Sequence, residues 1–152
     1  MRNSEKAAVI ALMAALTTAA CAAPSPPKTC TPDENARFAE SIATRRHVVE
    51  GVFVCGVVSG RPYEHGGEHG LHAYIPVRVE APGGATYITQ IIPNEELIGH
   101  VVVHRGDAIF ALGQFVYPNE RFGYEGLIHE THHTTHTGGA DGYVSVNGRT
   151  YR

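Results

Sequence analysis

From residue 47 onward, apolar stretches alternate with breaks marked by glycine, proline and asparagine, a spacing that predicts strands. Residues 47–59 are dense in valine and predict a long, mostly buried strand. Gly51 and Gly56 inside it mark bulges or bends that let a sheet curl. Residues 60–70 hold Arg61, His65, Glu68 and His69 among four glycines and read as a loop or flexible hairpin. Their glycines do not follow a phosphate-binding pattern. Leu71 to Ala81 is the second strand, closed by Pro82-Gly83-Gly84; Pro76 inside it predicts a sheet edge or a bulge. Thr86 to Ile92 is the third strand. Pro93 to Ile98 reads as one helical turn begun by proline and acidic residues. Arg105-Gly106-Asp107 turns into a fourth strand, Ala108 to Tyr117, and a polar loop, 118–123, leads to a fifth, Tyr124 to about His132. Tyr143 to Val146 and Arg149 to Tyr151 flank Asn147-Gly148, a two-residue hairpin signal.

Upstream, Thr31-Pro32-Asp33-Glu34 is a helix start, with Thr31 as cap and Glu34 completing a capping box. Phe38, Ala39, Ile42 and Ala43 follow at helical spacing, so a short helix from Pro32 to about Arg45 should pack on the domain behind it. Three strands, a helical connection and two further strands is the order of an OB-fold. The expected fold class is therefore all-β: an OB-like five-stranded barrel with one short N-terminal helix and a C-terminal hairpin. Another small barrel, of the SH3 kind, is the alternative.

The first residues look removable. Arg2 and Lys6 precede an unbroken run of small, apolar and threonine residues from Ala7 to Ala20, too short for a membrane-spanning helix. Residues 1–21 thus read as a signal peptide, 22–30 as a Pro/Ser-rich linker and 31–152 as one domain. Thr18-Ala19-Ala20-Cys21 resembles a lipobox, which would anchor the chain to a membrane through lipid on Cys21. Ordinary cleavage nearby would release a secreted protein. Either outcome places the chain outside the cytoplasm, as a periplasmic or outer-membrane lipoprotein or as a secreted protein. If Cys21 carries lipid, Cys30 and Cys55 remain as a pair, and an oxidising compartment permits a bridge.

The formal net charge is −3. Removing Arg2 and Lys6 from the 12 basic residues and Glu5 from the 15 acidic ones leaves 10 and 14, a net −4. No basic stripe stands out, which argues against non-specific nucleic-acid binding.

Four of the ten histidines fall between His129 and His136, with Glu130 inside the run and Asp141 just after it. His129-Glu130-Thr131-His132-His133 satisfies HExxH, which builds a zinc-protease site only on a helix. Here β-branched threonines, the strand-like Gly126-Leu127-Ile128 and the nearby Gly138-Gly139 oppose a helix. On a strand, His129, Thr131 and His133 share one face and Ile128, Glu130 and His132 the other. A shared metal then needs the strand to bend or end, or a partner from the first loop, where His65, His69 and His72 are available. Three readings stay open. His72, His129, His132 and His133 hold a transition metal, zinc or copper; the histidines form a structural hydrogen-bonded network; or His129, His133 and Asp141 perform acid–base chemistry without metal. His47, His100 and His104 are scattered and read as surface residues.

Gly123-Tyr124, Gly126-Leu127-Ile128-His129, Thr131-His132-His133, Asp141-Gly142-Tyr143 and Asn147-Gly148 with Tyr151 together resemble the C-terminal signature of a bacterial family called domain of unknown function 3465. Those are small exported OB-like domains carrying Gly-Ile-His-x-Thr-His-His and a later Asp-Gly-aromatic. The resemblance runs from about His47 onward and includes Leu71-His72. It implies an exported OB-like fold and no settled activity. The group it implies as shared is His72, His129, Thr131, His132, His133 and Asp141. Glu130 stands where the family has an aromatic, which further weakens the HExxH reading, and Gly139 where it has a histidine.

The sequence thus points to an exported binding or accessory module of the cell envelope with a His-rich site near its C-terminus. Its partner would be an envelope protein or a small or polymeric ligand. Tyr63, Tyr74, Tyr87 and Phe122 could supply stacking surfaces or pack the barrel. The alternative is a small hydrolase, such as a phosphodiesterase, using the same histidines.

Overall fold

The computed structural model describes residues 23–118, 123–134 and 140–152. Residues 1–22, with Cys21, and Phe122 and His136 lie outside the described residues. A 3-10 turn, Pro32–Asn35, runs into α1, Ala36–Ala43, and eight strands follow. They are β1 (Val48–Val58), β2 (Tyr63–Gly67), β3 (Gly70–Glu80), β4 (Thr86–Ile91), β5 (Ala108–Val116), β6 (Gly126–His129), β7 (Tyr143–Val146) and β8 (Arg149–Tyr151). One short helix, α2 (Glu95–Ile98), connects β4 to β5.

Five strands close a barrel in the order β1-β3-β4-β6-β5 and back to β1. All pairings in the ring are antiparallel except β4 with β6. This is the strand order of an OB barrel, and it decides against the SH3 alternative. The β7–β8 hairpin extends the sheet from the side of β5.

Alternation does the packing. Val52, Val54, Val58, Ile75, Val77, Val79, Ile91, Ile109, Phe115 and Ile128 point inward and are fully or almost fully buried. Each such side chain is worth roughly 1.5–3 kcal/mol over its exposed state. Phe38 of α1 is fully buried at the barrel end, edge-on to Phe115 at 5.8 Å and to Tyr87 at 6.1 Å. Tyr87, half-buried, therefore packs against the barrel core.

Gly51 is a bulge, as expected: its φ is +61° and the β1–β5 register shifts between Val49 and Val52. Gly56 does something else. A Cβ there would lie 2.2 Å from the Arg78 carbonyl oxygen, so glycine permits the close approach of β1 to β3. Pro76 stands where the neighbour of β3 changes from β2 to β1. Its carbonyl accepts from Ser59 N–H at 2.9 Å, and proline has no N–H to return a second bond to β1.

Three expectations are corrected. Thr31 makes no side-chain cap; the 3-10 turn is held instead by Glu34 N–H donating to the Thr31 carbonyl at 3.2 Å. Residues 63–67, read as loop, form β2, because β3 runs past the barrel rim and supplies a backbone partner. The fifth strand stops at His129, because Glu130 takes a left-handed backbone with φ +51°. Cys30 and Cys55 are bridged, with Cα atoms 5.7 Å apart.

Candidate functional site

The β2–β3 hairpin rises from the barrel rim and separates two clefts. Its register sets Tyr63 opposite Tyr74, Glu64 opposite Ala73 and His65 opposite His72. Strand alternation then sends Tyr63, His65, His72 and Tyr74 to one face and Glu64 to the other.

On the first face, Tyr63 and Tyr74 lie ring on ring, with centroids 5.0 Å apart and planes 5° from parallel. Tyr63 is 52% exposed. Next to them His72 stacks on His129 of β6, at 5.3 Å and 13°. Tyr74, His72 and His129, with His65, Glu68, His69 and Glu130, line a cleft of about 490 Å³, and Tyr63 stands at the border with the other cleft. Lower on this face Gln90 donates to the Tyr124 hydroxyl at 3.3 Å.

The backbone break at Glu130 redirects its side chain. The carboxylate turns back between two histidines, 3.3 Å from His129 Nδ1 and 3.1 Å from His132 Nε2. The other ring nitrogen of His132, Nδ1, lies 2.6 Å from the His133 carbonyl oxygen. His132 and Thr131 are buried, and His133 faces solvent. Burial, the largest cause, and neighbouring His72 push the His129 pKa below its ordinary value, while Glu130 acts in the opposite direction.

His133 belongs to a different pair, with Asp141 at 3.3 Å. Asp141 also accepts from Thr134 N–H at 2.8 Å, and this bond, more than His133, holds its carboxyl below the usual range. Of the residues that sequence reasoning selected, the fold therefore brings His72, His129 and His132 into one neighbourhood, His72 by stacking on His129 and His132 through Glu130. His133 and Asp141 sit apart from it. Among the described residues no hydrogen bond or ion pair joins His129 directly to His133 or Asp141. The backbone after His129 is not helical, which excludes the HExxH geometry.

The second face carries a group that sequence reasoning missed. Glu64 of β2, Glu95 at the start of α2 and His100 come together across a cleft of about 640 Å³ that Arg61, Tyr63 and His104 also line. His100 Nδ1 is 3.2 Å from a Glu64 oxygen and 3.1 Å from Glu95 Oε1. One potential ligand atom from each of the three lies within 4.8 Å of the other two, so this group could hold a metal ion. Among the described residues, it and not the four histidines meets that test. The available signal was weak: Glu95 had a sufficient role as a helix-start residue, and Glu64 sat in an apparent loop.

No protein-family model, no characterised protein and no solved structure matches this chain.

Proposed function

We propose that this chain is an exported binding module of the cell envelope, and that its ligand is hydroxyl-rich, an oligosaccharide. The observation that carries the reading is the stacked Tyr63–Tyr74 pair standing beside the stacked His72–His129 pair on one face of the hairpin. A sugar ring lays C–H groups against an aromatic face and offers hydroxyls to imidazole nitrogens. Among the described residues the cleft is lined by Glu68 and Glu130 and by no lysine or arginine, which disfavours a polyanion. OB barrels use this region for oligonucleotides and oligosaccharides, a supporting analogy at the level of fold. Export is supported by the leader-like residues 1–21, by the family resemblance of the C-terminal motif, and by the Cys30–Cys55 bridge, since bridges persist in oxidising compartments.

A second reading is a small hydrolase that uses His72, His129 and His132, with zinc or copper on His72 and His129. It is favoured by Glu130, whose carboxylate reaches two of these histidines. One experiment separates the two: affinity electrophoresis of the mature domain against a panel of soluble polysaccharides, with and without chelator, alongside elemental analysis. Retention that ignores chelator and weakens about tenfold or more in Tyr63→Ala and Tyr74→Ala is the expected result. If no polysaccharide retains the protein, the saccharide reading is lost. A near-stoichiometric metal that disappears in His72→Ala/His129→Ala puts the second reading in its place.

A further inference from the structure

We infer that Glu64, Glu95 and His100 form a binding site for a divalent transition-metal ion, facing the second cleft and separate from the histidine face. Glu95 is the buried member of the three. Its side chain is 2% exposed, and one oxygen, Oε1, accepts from Val101 N–H at 2.7 Å. The other, Oε2, is buried with no hydrogen-bond partner. A buried carboxylate oxygen with nothing to accept from costs free energy that proteins rarely leave uncompensated. Helix capping does not account for it. The α2 cap is Asn94, which accepts from Glu96 N–H at 3.0 Å, and the capping of Val101 uses Oε1.

The two neighbours supply the rest. His100 Nδ1 stands between two carboxylates, yet one N–H makes one good hydrogen bond, so the proton satisfies at most one of them well. A divalent ion satisfies all three groups. Two carboxylates and a neutral imidazole carry two negative charges, which balance it, and binding releases any proton on Nδ1. Donors held about 2.0–2.2 Å from a tetrahedral ion lie about 3.4 Å from one another. The separations of His100 from Glu64 and Glu95, 3.2 and 3.1 Å, are already close to that. An imidazole in the set favours a transition metal over calcium or magnesium, which take oxygen ligands. Three protein donors leave a fourth position for water or a ligand atom, and the cleft of about 640 Å³ opens on to it.

No lysine or arginine forms an ion pair with Glu95 among the described residues, and three elements fix the group. Glu64 is held by the β2–β3 register, Glu95 by α2, and His100 by the segment whose Val101 N–H binds Glu95. The donors therefore arrive without loop ordering at the moment of binding.

The test is calorimetric titration of Zn²⁺ into the chelator-stripped, disulfide-intact protein, followed by elemental analysis after dialysis. Glu64 and His100 side chains are 46% and 67% exposed, so Glu64→Gln and His100→Gln should fold as the parent does, and circular dichroism checks this. We expect one equivalent of zinc, with affinity falling about tenfold or more in each variant. The same equivalent should persist in His72→Ala/His129→Ala. Absence of zinc binding overturns the inference. So does zinc that survives Glu64→Gln/His100→Gln, and zinc that vanishes with the histidine-face variant assigns the ion to the other cleft.

Discussion

Outside the clefts, Asn35 is a buried polar residue at the junction of the N-terminal turn and the barrel. It is fully buried and holds three backbone groups of two strands. Its Nδ2 donates to the carbonyls of Cys55 at 3.0 Å and Glu80 at 2.8 Å, and its Oδ1 accepts from Cys55 N–H at 2.8 Å. Alanine would strand those groups away from water. Asn35→Ala should lower stability by about 3 kcal/mol, read as the shift in a urea denaturation curve. A change under about 0.5 kcal/mol, of the size seen at ordinary surface sites, would mean the three bonds are not formed in solution. Nothing in the sequence distinguishes Asn35 from a helix-start residue, because its partners lie 20 and 45 positions away.

Among the elements, turns were legible where their chemistry is local. Asn147-Gly148 makes the predicted hairpin, with Asn147 at φ +48°. Strand β2 was not legible, because its five residues are all exposed and carry no apolar alternation; only the partner strand makes it a strand. The loop before β5 joins the hairpin through Asp107, which accepts from Asn147 Nδ2 at 2.9 Å and His104 N–H at 2.7 Å. The Asn147 bond first, and then His104, hold the Asp107 carboxyl below its ordinary 3.8. A carboxyl depressed in the folded state adds stability above 3.8 and loses it as pH falls through that value toward the folded pKa. The gap in denaturation midpoint between the parent and Asp107→Ala should therefore be widest near neutral pH and narrow below pH 3.8. A gap that stays constant or widens in acid contradicts this linkage.

For the whole molecule, closure is the decisive event. β1 pairs with β3 on one side and β5 on the other, and the parallel contact of β4 with β6 completes the ring. The disulfide then ties the N-terminal segment to β1 across a sequence separation of 25. Such a constraint removes freedom mainly from the unfolded chain and is worth about 3 kcal/mol. Cys30→Ser/Cys55→Ser should melt lower than the oxidised parent and together with the reduced parent. Equal melting of the oxidised parent and the double variant would show that the bridge constrains little.

The sequence by itself determined the barrel's element order, the C-terminal hairpin and a cysteine pair fit to bridge. Period-two alternation, turn chemistry and cysteine count are local properties, written residue by residue. It also supplied the histidines, His72 and His129 among them, without saying which would meet. Only the tertiary structure decided that His72 stacks on His129, that Glu130 ends its strand and turns back to His132, and that His133 goes with Asp141. It alone gathered Glu64, Glu95 and His100. Those groupings depend on barrel closure and on strand register, where a shift of one residue sends every side chain to the opposite face.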